Sequence, residues 1–258
     1  GWTYVHAFDD ERVMAGQGTI GVELMEDLPA LDTVVVPVGG GGLIGGVATA
    51  VKGIAPDVRV VGVQAAGASS VADSLRKGRL TEADQVDTIA DGIAVRGVGE
   101  RTFPVIRERV DEVVTVTDAE IANALVLLLE RGKTLVEGAG AAPLAALLTD
   151  AFDVEADETV VPILSGGNVD LNLLTTVILR GLVDQGRYVK LRTVLKDRPG
   201  ALDDLLDILT DERANIDAIQ HDRTSRDVAL NAAEVELELE TRGEDHVERL
   251  LARLREAG

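Results

Sequence analysis

Short apolar runs rich in Val, Ile and Leu alternate with longer amphipathic segments over the first two-thirds of the chain. Apolar runs of this length are typical of buried strands, and the segments between them are long enough for helices. The alternation predicts an α/β fold, a mostly parallel sheet with helices on both faces. The predicted strands are residues 3–8, 33–38, 58–63, 112–116 and 159–164.

The predicted helices of this region follow Gly18 and Gly42 or cover residues 69–77, 118–131 and 135–148. Thr117 and Glu120 have the T-x-x-E spacing of a capping box, in which each side chain binds the other residue's backbone N–H. This motif places the start of the fourth helix directly after Thr117.

The pattern changes after about Gly186. Strands are predicted at residues 188–195, 215–221 and 228–239, and helices at residues 201–209 and 244–255. In the last strand Val235, Leu237 and Leu239 alternate with glutamates, so one face should meet water. The order βαββα is that of a small ferredoxin-like unit lacking its last strand. We predict two domains, residues 1–186 and 187–258.

Four consecutive glycines separate the strand at 33–38 from the apolar helix that follows. Such a turn leaves backbone N–H groups free at the positive end of the helix dipole, where a phosphate is the natural ligand. A tight turn without a ligand is the alternative. The candidate phosphate-binding residues are Gly39, Gly40, Gly41, Gly42 and Leu43.

A nucleotide is a poor candidate for this phosphate. Gly40, Gly42 and Gly45 satisfy G-x-G-x-x-G, but a dinucleotide site also needs an acidic residue after the next strand, where Gln64 begins the sequence Gln-Ala-Ala. The lysine of a Walker motif is absent as well. A smaller phosphorylated cofactor fits better.

The strand at 159–164 ends in Ser165-Gly166-Gly167-Asn168. A serine at the carboxyl end of a parallel strand points into the crevice where such sheets bind ligands. It could hydrogen-bond a ring nitrogen without adding a charge, although the sequence Ser-Gly-Gly-Asn is also typical of a simple turn. A hydrolase nucleophile is disfavoured because no G-x-S-x-G elbow is present.

The net charge of −20 argues against nucleic-acid binding. Abundant acidic residues and few lysines resemble proteins of salt-loving organisms, or simply a solvated acidic surface. The absence of cysteine excludes disulfides and a thiol nucleophile, and the three histidines have no metal-ligand spacing. With no apolar stretch long enough for a membrane span and no signal peptide, we expect a cytoplasmic protein.

Taken together, these motifs resemble the threonine ammonia-lyases (threonine dehydratases) of the fold-type II pyridoxal-phosphate enzymes. The tail, with Lys196-Asp197-Arg198-Pro199-Gly200-Ala201-Leu202 and Ala214-Asn215-Ile216, resembles an ACT domain, a small amino-acid-sensing module. The catalytic resemblance rests on Phe8-Asp9-Asp10, Ala15-Gly16-Gln17-Gly18-Thr19, Pro37-Val38 with the glycines and Leu43, Ala90-Asp91-Gly92-Ile93-Ala94-Val95, and Ser165-Gly166-Gly167-Asn168.

This resemblance implies that the backbone N–H groups of the glycine run hold the phosphate of pyridoxal 5'-phosphate. It also implies that Ser165 contacts the pyridine nitrogen, Gly92 lies by substrate and cofactor, and Glu137 lies near the ring. A neutral serine leaves the pyridine unprotonated, which favours β-elimination over transamination. The implied reaction converts L-threonine to 2-oxobutanoate and ammonia. A dehydratase or racemase acting on serine remains an alternative.

Two departures from the family's pattern change the picture. The family's Schiff-base lysine lies in a serine-x-lysine motif, and none of this chain's five lysines has that context. We therefore expect no catalytic lysine in this chain, which by itself should be an inactive part of a longer enzyme or a non-catalytic regulatory module. Some relatives bind a divalent metal after the third strand, but residues 64–70 contain no carboxylate, so no metal site is expected.

For the tail, the ACT resemblance implies a site for an amino-acid effector, isoleucine or valine. The residues it points to are Asp197, Gly200, Asn215 and Ile216. Because ACT-like units commonly pair, a homo-oligomer, dimer or tetramer, is also expected.

Overall fold

A computed structural model describes residues 2–224 and 228–257. The chain divides into two compact units, Gly1–Leu174 and Thr175–Gly258. The elements up to the division are α1 (Glu11–Asp27), β1 (Thr33–Pro37), α2 (Gly42–Ile54), β2 (Arg59–Ala65), α3 (Ser70–Lys77), α4 (Thr102–Arg109), β3 (Glu112–Val116), α5 (Asp118–Leu127), α6 (Gly138–Leu148), β4 (Val160–Pro162) and α7 (Leu171–Asp184), which runs across it.

The sheet of the first unit is parallel throughout, with strand order β3-β2-β1-β4. Val35 of β1 lies opposite Val61 of β2 on one side and Pro162 of β4 on the other. From β1 the chain therefore builds β2 and β3 outward on one side, then returns to add β4 on the opposite side. The predicted mostly parallel sheet is confirmed.

The core of this unit is built from aliphatic side chains on both faces of β1. Val34 and Val36 pack in one cluster with Ile44 and Val47 of α2. Because side chains alternate along a strand, Val35 points to the opposite face, where it is also fully buried. Helix α6 packs against β1, β2 and β3. Helices thus cover both faces of the sheet, as predicted.

The prediction of a strand at residues 3–8 is wrong. Trp2, Tyr4 and Val5 are exposed, and no strand of the described chain pairs with this segment. An apolar run becomes a strand only where a neighbour accepts its backbone hydrogen bonds. Instead, the His6 ring accepts hydrogen bonds from the backbone N–H groups of Phe8 (3.3 Å) and Asp9 (2.9 Å), which closes a turn.

Two helix starts also differ from the predicted ones. Helix α1 begins at Glu11 rather than after Gly18, because the Asp10 carboxylate accepts the backbone N–H of Arg12 at 2.8 Å and caps the helix. Helix α6 begins at Gly138 rather than at residue 135. The capping box of Thr117 and Glu120 at the start of α5 is confirmed.

The second unit carries strands β5 (Tyr188–Lys196), β6 (Asn215–Asp222) and β7 (Ala232–Glu240) and helices α8 (Ala201–Asp211) and α9 (Glu244–Ala257). Its sheet is antiparallel with order β5-β7-β6. Val235, Leu237 and Leu239 are fully buried against Leu209 of α8 and Leu250 of α9, as the alternation predicts. The predicted boundary at 186/187 stays a prediction.

The outer face of this sheet is an ion-pair network between β5 and β7. Lys190 lies 2.5 Å and Arg192 3.1 Å from the Glu236 carboxylate, and Arg192 also lies 3.3 Å from Glu234. The hydrogen bond from Lys190, followed by that from Arg192, holds the pKa of Glu236 below its usual value.

A lowered pKa in the folded state means that protonation favours unfolding. The contribution of Glu236 to stability is present above the ordinary glutamate pKa of about 4.3 and is lost as the pH falls below it. We expect Glu236→Gln to flatten the dependence of the melting temperature on pH between about pH 3 and 6, followed by circular dichroism. The control is Glu248→Gln, on the exposed side of α9 and outside this network. Identical pH profiles for Glu236→Gln and the unaltered chain would contradict the prediction.

Candidate functional site

All eight residues predicted to contact the cofactor line one cavity of about 320 Å³ in the first unit. This volume lies in the range of small-molecule sites, about 300–1,000 Å³. The eight residues are Gly39, Gly40, Gly41, Gly42, Leu43, Gly92, Glu137 and Ser165. The structure therefore brings together segments that are far apart in sequence, while the cofactor contacts themselves stay predictions.

The cavity lies where the order of strands reverses. Gly39 follows β1, and Ser165 follows β4, its parallel neighbour. The connection after β1 leads to β2 on one side of it, whereas β4 lies on its other side. A crevice therefore opens between the carboxyl ends of β1 and β4. Open α/β sheets bind ligands at this topological switch point.

The glycine run forms the entry to α2. Gly41 is its N-cap with φ of +95°, a left-handed conformation that favours glycine. The N–H of Gly45 donates to the Gly41 carbonyl at 2.9 Å, the first bond of the helix. The N–H groups of Gly42 and Leu43 precede this bond in the chain, so no carbonyl within α2 can accept them. Both residues line the cavity.

Close packing around the run leaves no space for side chains on it. A Cβ on Gly40 would overlap the ring of Phe8, and one on Gly42 would lie 2.9 Å from the Phe8 Cβ. A Cβ on Gly41 would lie 2.7 Å from Ile106 and 2.8 Å from the Thr102 hydroxyl. The backbone can approach both its supports and a ligand only because these residues are glycines.

The residues that hold this loop from behind were not predicted as site residues. The Asp9 carboxylate accepts the backbone N–H groups of Arg101 (2.8 Å) and Thr102 (3.2 Å) at the start of α4. The Thr102 hydroxyl in turn donates to the Gly40 carbonyl at 2.6 Å. More than 60 residues separate the partners of each of these bonds, so no local spacing in the sequence could have indicated them.

Hydrogen bonds and close packing join the segment at Glu137 to the turn that begins at Ser165. Glu137 precedes α6, its N–H donates to the Gly166 carbonyl (3.3 Å), and its carboxylate accepts the N–H of Asn168 (3.2 Å). Gly140 lies so close to the Ser165 backbone that a Cβ there would overlap it. The start of α6 therefore fixes the Ser-Gly-Gly-Asn turn at the rim of the cavity.

Among the cavity-lining residues that the structure describes, Glu137 carries the only ionisable side chain. A bound phosphate would be held by backbone N–H groups and the dipole of α2, without a cationic side chain. Phe8, Val13, Ile93 and Val95 supply apolar walls. An anion cradle, a neutral serine and apolar walls fit the phosphate, the ring nitrogen and the ring of pyridoxal phosphate.

The lysines of the first unit lie outside this arrangement. Within the described part of that unit, none of Lys52, Lys77 and Lys133 lines the cavity. The Lys52 ammonium instead pairs with Asp111 at 2.8 Å.

Gln64, at the position where a dinucleotide enzyme would carry its acidic residue, has a structural role. Its side chain is fully buried, and its amide donates to the Ala68 carbonyl at 3.0 Å. Its oxygen accepts the N–H groups of Val71 (3.0 Å) and Ala72 (2.9 Å) at the start of α3. Both ends of the amide are therefore engaged within the protein.

The four predicted effector residues do not converge within one copy of the second unit. Asp197 and Gly200 follow the end of β5, where Lys196 pairs with Ala232. Asn215 begins β6 opposite Glu240, at the other end of β7, and Ile216 follows it. Ala232 and Glu240 are eight residue steps apart along β7, a distance of about 27 Å at 3.4 Å per residue.

Comparison with known proteins shows the family to which this chain belongs. Residues 1–166 match the family model described as pyridoxal-phosphate dependent enzyme, and residues 185–257 match the ACT domain model. The chain belongs to the pyridoxal-phosphate-dependent enzyme family.

Its relatives are named for the deamination of threonine and for related chemistry. The chain is 50% identical over 258 residues to an L-threonine ammonia-lyase of Geobacter sulfurreducens, across 100% of this chain and 64% of the relative. It resembles the structures of threonine deaminase isoform 2 of Solanum lycopersicum (41% identity, TM-score 0.65) and serine racemase of Dictyostelium discoideum (42%, 0.60). These alignments cover 69% and 65% of this chain, and 52% and 53% of the solved chains, respectively.

The chain thus spans less than two-thirds of the length of the Geobacter relative. Within residues 2–224 and 228–257, no helix has both the length and the apolar character that a membrane crossing requires.

The glycine requirement at the loop can be tested at Gly41. We expect Gly41→Ala to destabilise the first unit by about 2–4 kcal/mol, through a left-handed backbone and overpacking against Ile106 and Thr102. Denaturant unfolding measures the change. Gly53→Ala in α2, where an added Cβ meets nothing within 4 Å, is the control and should stabilise by about 0.5–1 kcal/mol. Equal stability of the two variants would count against the packing described here.

Proposed function

We propose that this chain is part of a pyridoxal-phosphate-dependent threonine ammonia-lyase, which converts L-threonine to 2-oxobutanoate and ammonia by β-elimination. The observation that carries the proposal is the meeting of the glycine run, Gly92, Glu137 and Ser165 in one cavity at the switch point of the sheet. The 50% identity to a protein named L-threonine ammonia-lyase supports the choice of reaction.

In this proposal the residues of the cavity have separate tasks. The N–H groups of residues 39–43 bind the phosphate, and the dipole of α2 adds to their field. When bound, the cofactor supplies the electron sink for chemistry at the substrate's α-carbon. Ser165 offers the ring nitrogen a neutral partner, so the ring is not driven to its protonated form. Phe8 and Val95 keep water from the ring.

Substrate choice and assembly also belong to the proposal. Either L-threonine or L-serine could be the substrate, and likeness to a serine racemase structure keeps a serine dehydratase or racemase as the second candidate. The ACT-like second unit would sense isoleucine or valine in a homo-oligomer. In the non-catalytic alternative, binding this effector would be the only function of the chain. We place the protein in the cytoplasm.

The longer protein that contains this chain should deaminate L-threonine with a higher kcat/KM than L-serine and form no D-serine. Release of 2-oxobutanoate and pyruvate is followed by a coupled dehydrogenase assay, and D-serine by chiral chromatography. Ser165→Ala serves as the control that ties activity to this cavity. Formation of D-serine faster than either keto acid would favour the racemase instead.

The 258-residue chain alone should form no productive bond with the cofactor, because no lysine in the described part of its first unit lines the cavity. After incubation with pyridoxal phosphate and borohydride, we expect intact-mass spectrometry to find no lysine fully labelled. The Gly41→Ala variant is the control, since labelling that persists in it is independent of the glycine run. Complete labelling of one lysine, lost in a Gly41→Ala variant that circular dichroism shows to be folded, would mean that a catalytic lysine is present after all.

A further inference from the structure

The peptide group between Gly40 and Gly41 can offer its N–H to an anion in the cavity in only one of its two orientations. Glycine has little intrinsic preference for one backbone conformation, so a run of four cannot by itself hold its peptide groups in one direction. Some external contact has to select the orientation in which N–H groups, rather than carbonyls, face the cavity.

The first residue of α4 and the segment just before the helix supply that contact. The Gly40 carbonyl accepts two hydrogen bonds, from the Thr102 hydroxyl at 2.6 Å and from the Gly99 N–H at 3.1 Å. The Thr102 hydroxyl also lies 3.3 Å from the Gly99 carbonyl, but its single proton goes to the nearer oxygen. Thr102 is fully buried, so water cannot replace it.

The geometry of the peptide group links this bond to the cavity. In a trans peptide the C=O and the following N–H point in opposite directions. Because the Gly40 carbonyl points to the Thr102 hydroxyl, the N–H of Gly41 points away from that hydroxyl. Both glycines line the cavity, so this orientation leaves the N–H of Gly41 to face a ligand there. A rotated peptide would present a carbonyl oxygen there and repel an anion.

Asp9 fixes Thr102 in turn. Its carboxylate accepts the N–H groups of Arg101 and Thr102 and so holds the first turn of α4 in place. We propose that Thr102 is a positioning residue for phosphate binding, which selects the anion-binding orientation of the 40–41 peptide without touching the ligand. This inference rests on the proposed function, since it assumes that the glycine run binds a phosphate.

The test compares pyridoxine 5'-phosphate with pyridoxine, two probes that differ by the phosphate and lack the aldehyde that reacts with lysines. Calorimetry gives the dissociation constant of each for the full chain. The dissociation constant of pyridoxine divided by that of pyridoxine 5'-phosphate is the factor by which the phosphate increases affinity. We expect Thr102→Val to lower this ratio about tenfold while the affinity for pyridoxine stays within about twofold. Thr102→Ser, which keeps the hydroxyl, should restore most of the ratio.

Thr33→Val is the matched control. Thr33 is equally buried and its hydroxyl donates to Glu158, but it lies at the opposite end of β1 from the glycine run. This variant should lower the melting temperature without changing the ratio. If Thr102→Val does not fold, Thr102→Ala takes its place in the same comparison.

The outcomes separate the two proposals. If Thr102→Val weakens both probes equally, Thr102 serves the fold alone and its positioning role is wrong, whereas the phosphate site stands. If the unaltered chain binds the two probes equally well, the glycine run is not a phosphate site, and both the cofactor assignment and the role of Thr102 are overturned.

Discussion

The parallel pairing of β1 with β2 on one side and β4 on the other is the constraint on which the site depends. It brings the carboxyl ends of β1 and β4 to the same edge of the sheet, and therefore brings Ser165 beside a glycine run more than 120 residues earlier in the chain. Helices α2 and α6 begin at this edge with their N-termini near the cavity, so backbone dipoles as well as side chains meet there.

The sequence was sufficient for the features that depend on local chemistry. Valine-rich strands, the capping box of Thr117 and the alternation in β7 each follow from contacts within a few residues, and all three are present. The predicted strand at residues 3–8 was wrong because apolar residues indicate burial but do not show that a partner strand is present. Helices α4 and α7 were not predicted, and the start of α6 depends on how closely Gly138 and Gly140 pack against distant backbone.

The candidate site divides in the same way. Gly39 to Gly42 and Ser165 stand out because their residue types are unusual where strands end. Asp9 belongs to a motif on which the resemblance rests, but its role and that of Thr102 depend on bonds across more than 60 positions, and only the folded backbone brings those atoms together. In the second unit, motif resemblance selected four residues that one copy of the fold keeps at opposite ends of β7.

The described lining of the cavity includes no cationic side chain, although the chain carries a net charge of −20. At the proposed phosphate site the attraction is therefore short-ranged, made by dipoles that act within a few ångströms, while the field of the net negative charge is repulsive and long-ranged. Dissolved salt weakens the long-range repulsion far more than the short-range attraction, because screening acts over about 10 Å at 0.1 M. A site of this kind would capture an anionic cofactor faster as ionic strength rises, the reverse of the behaviour of a site built from lysine and arginine.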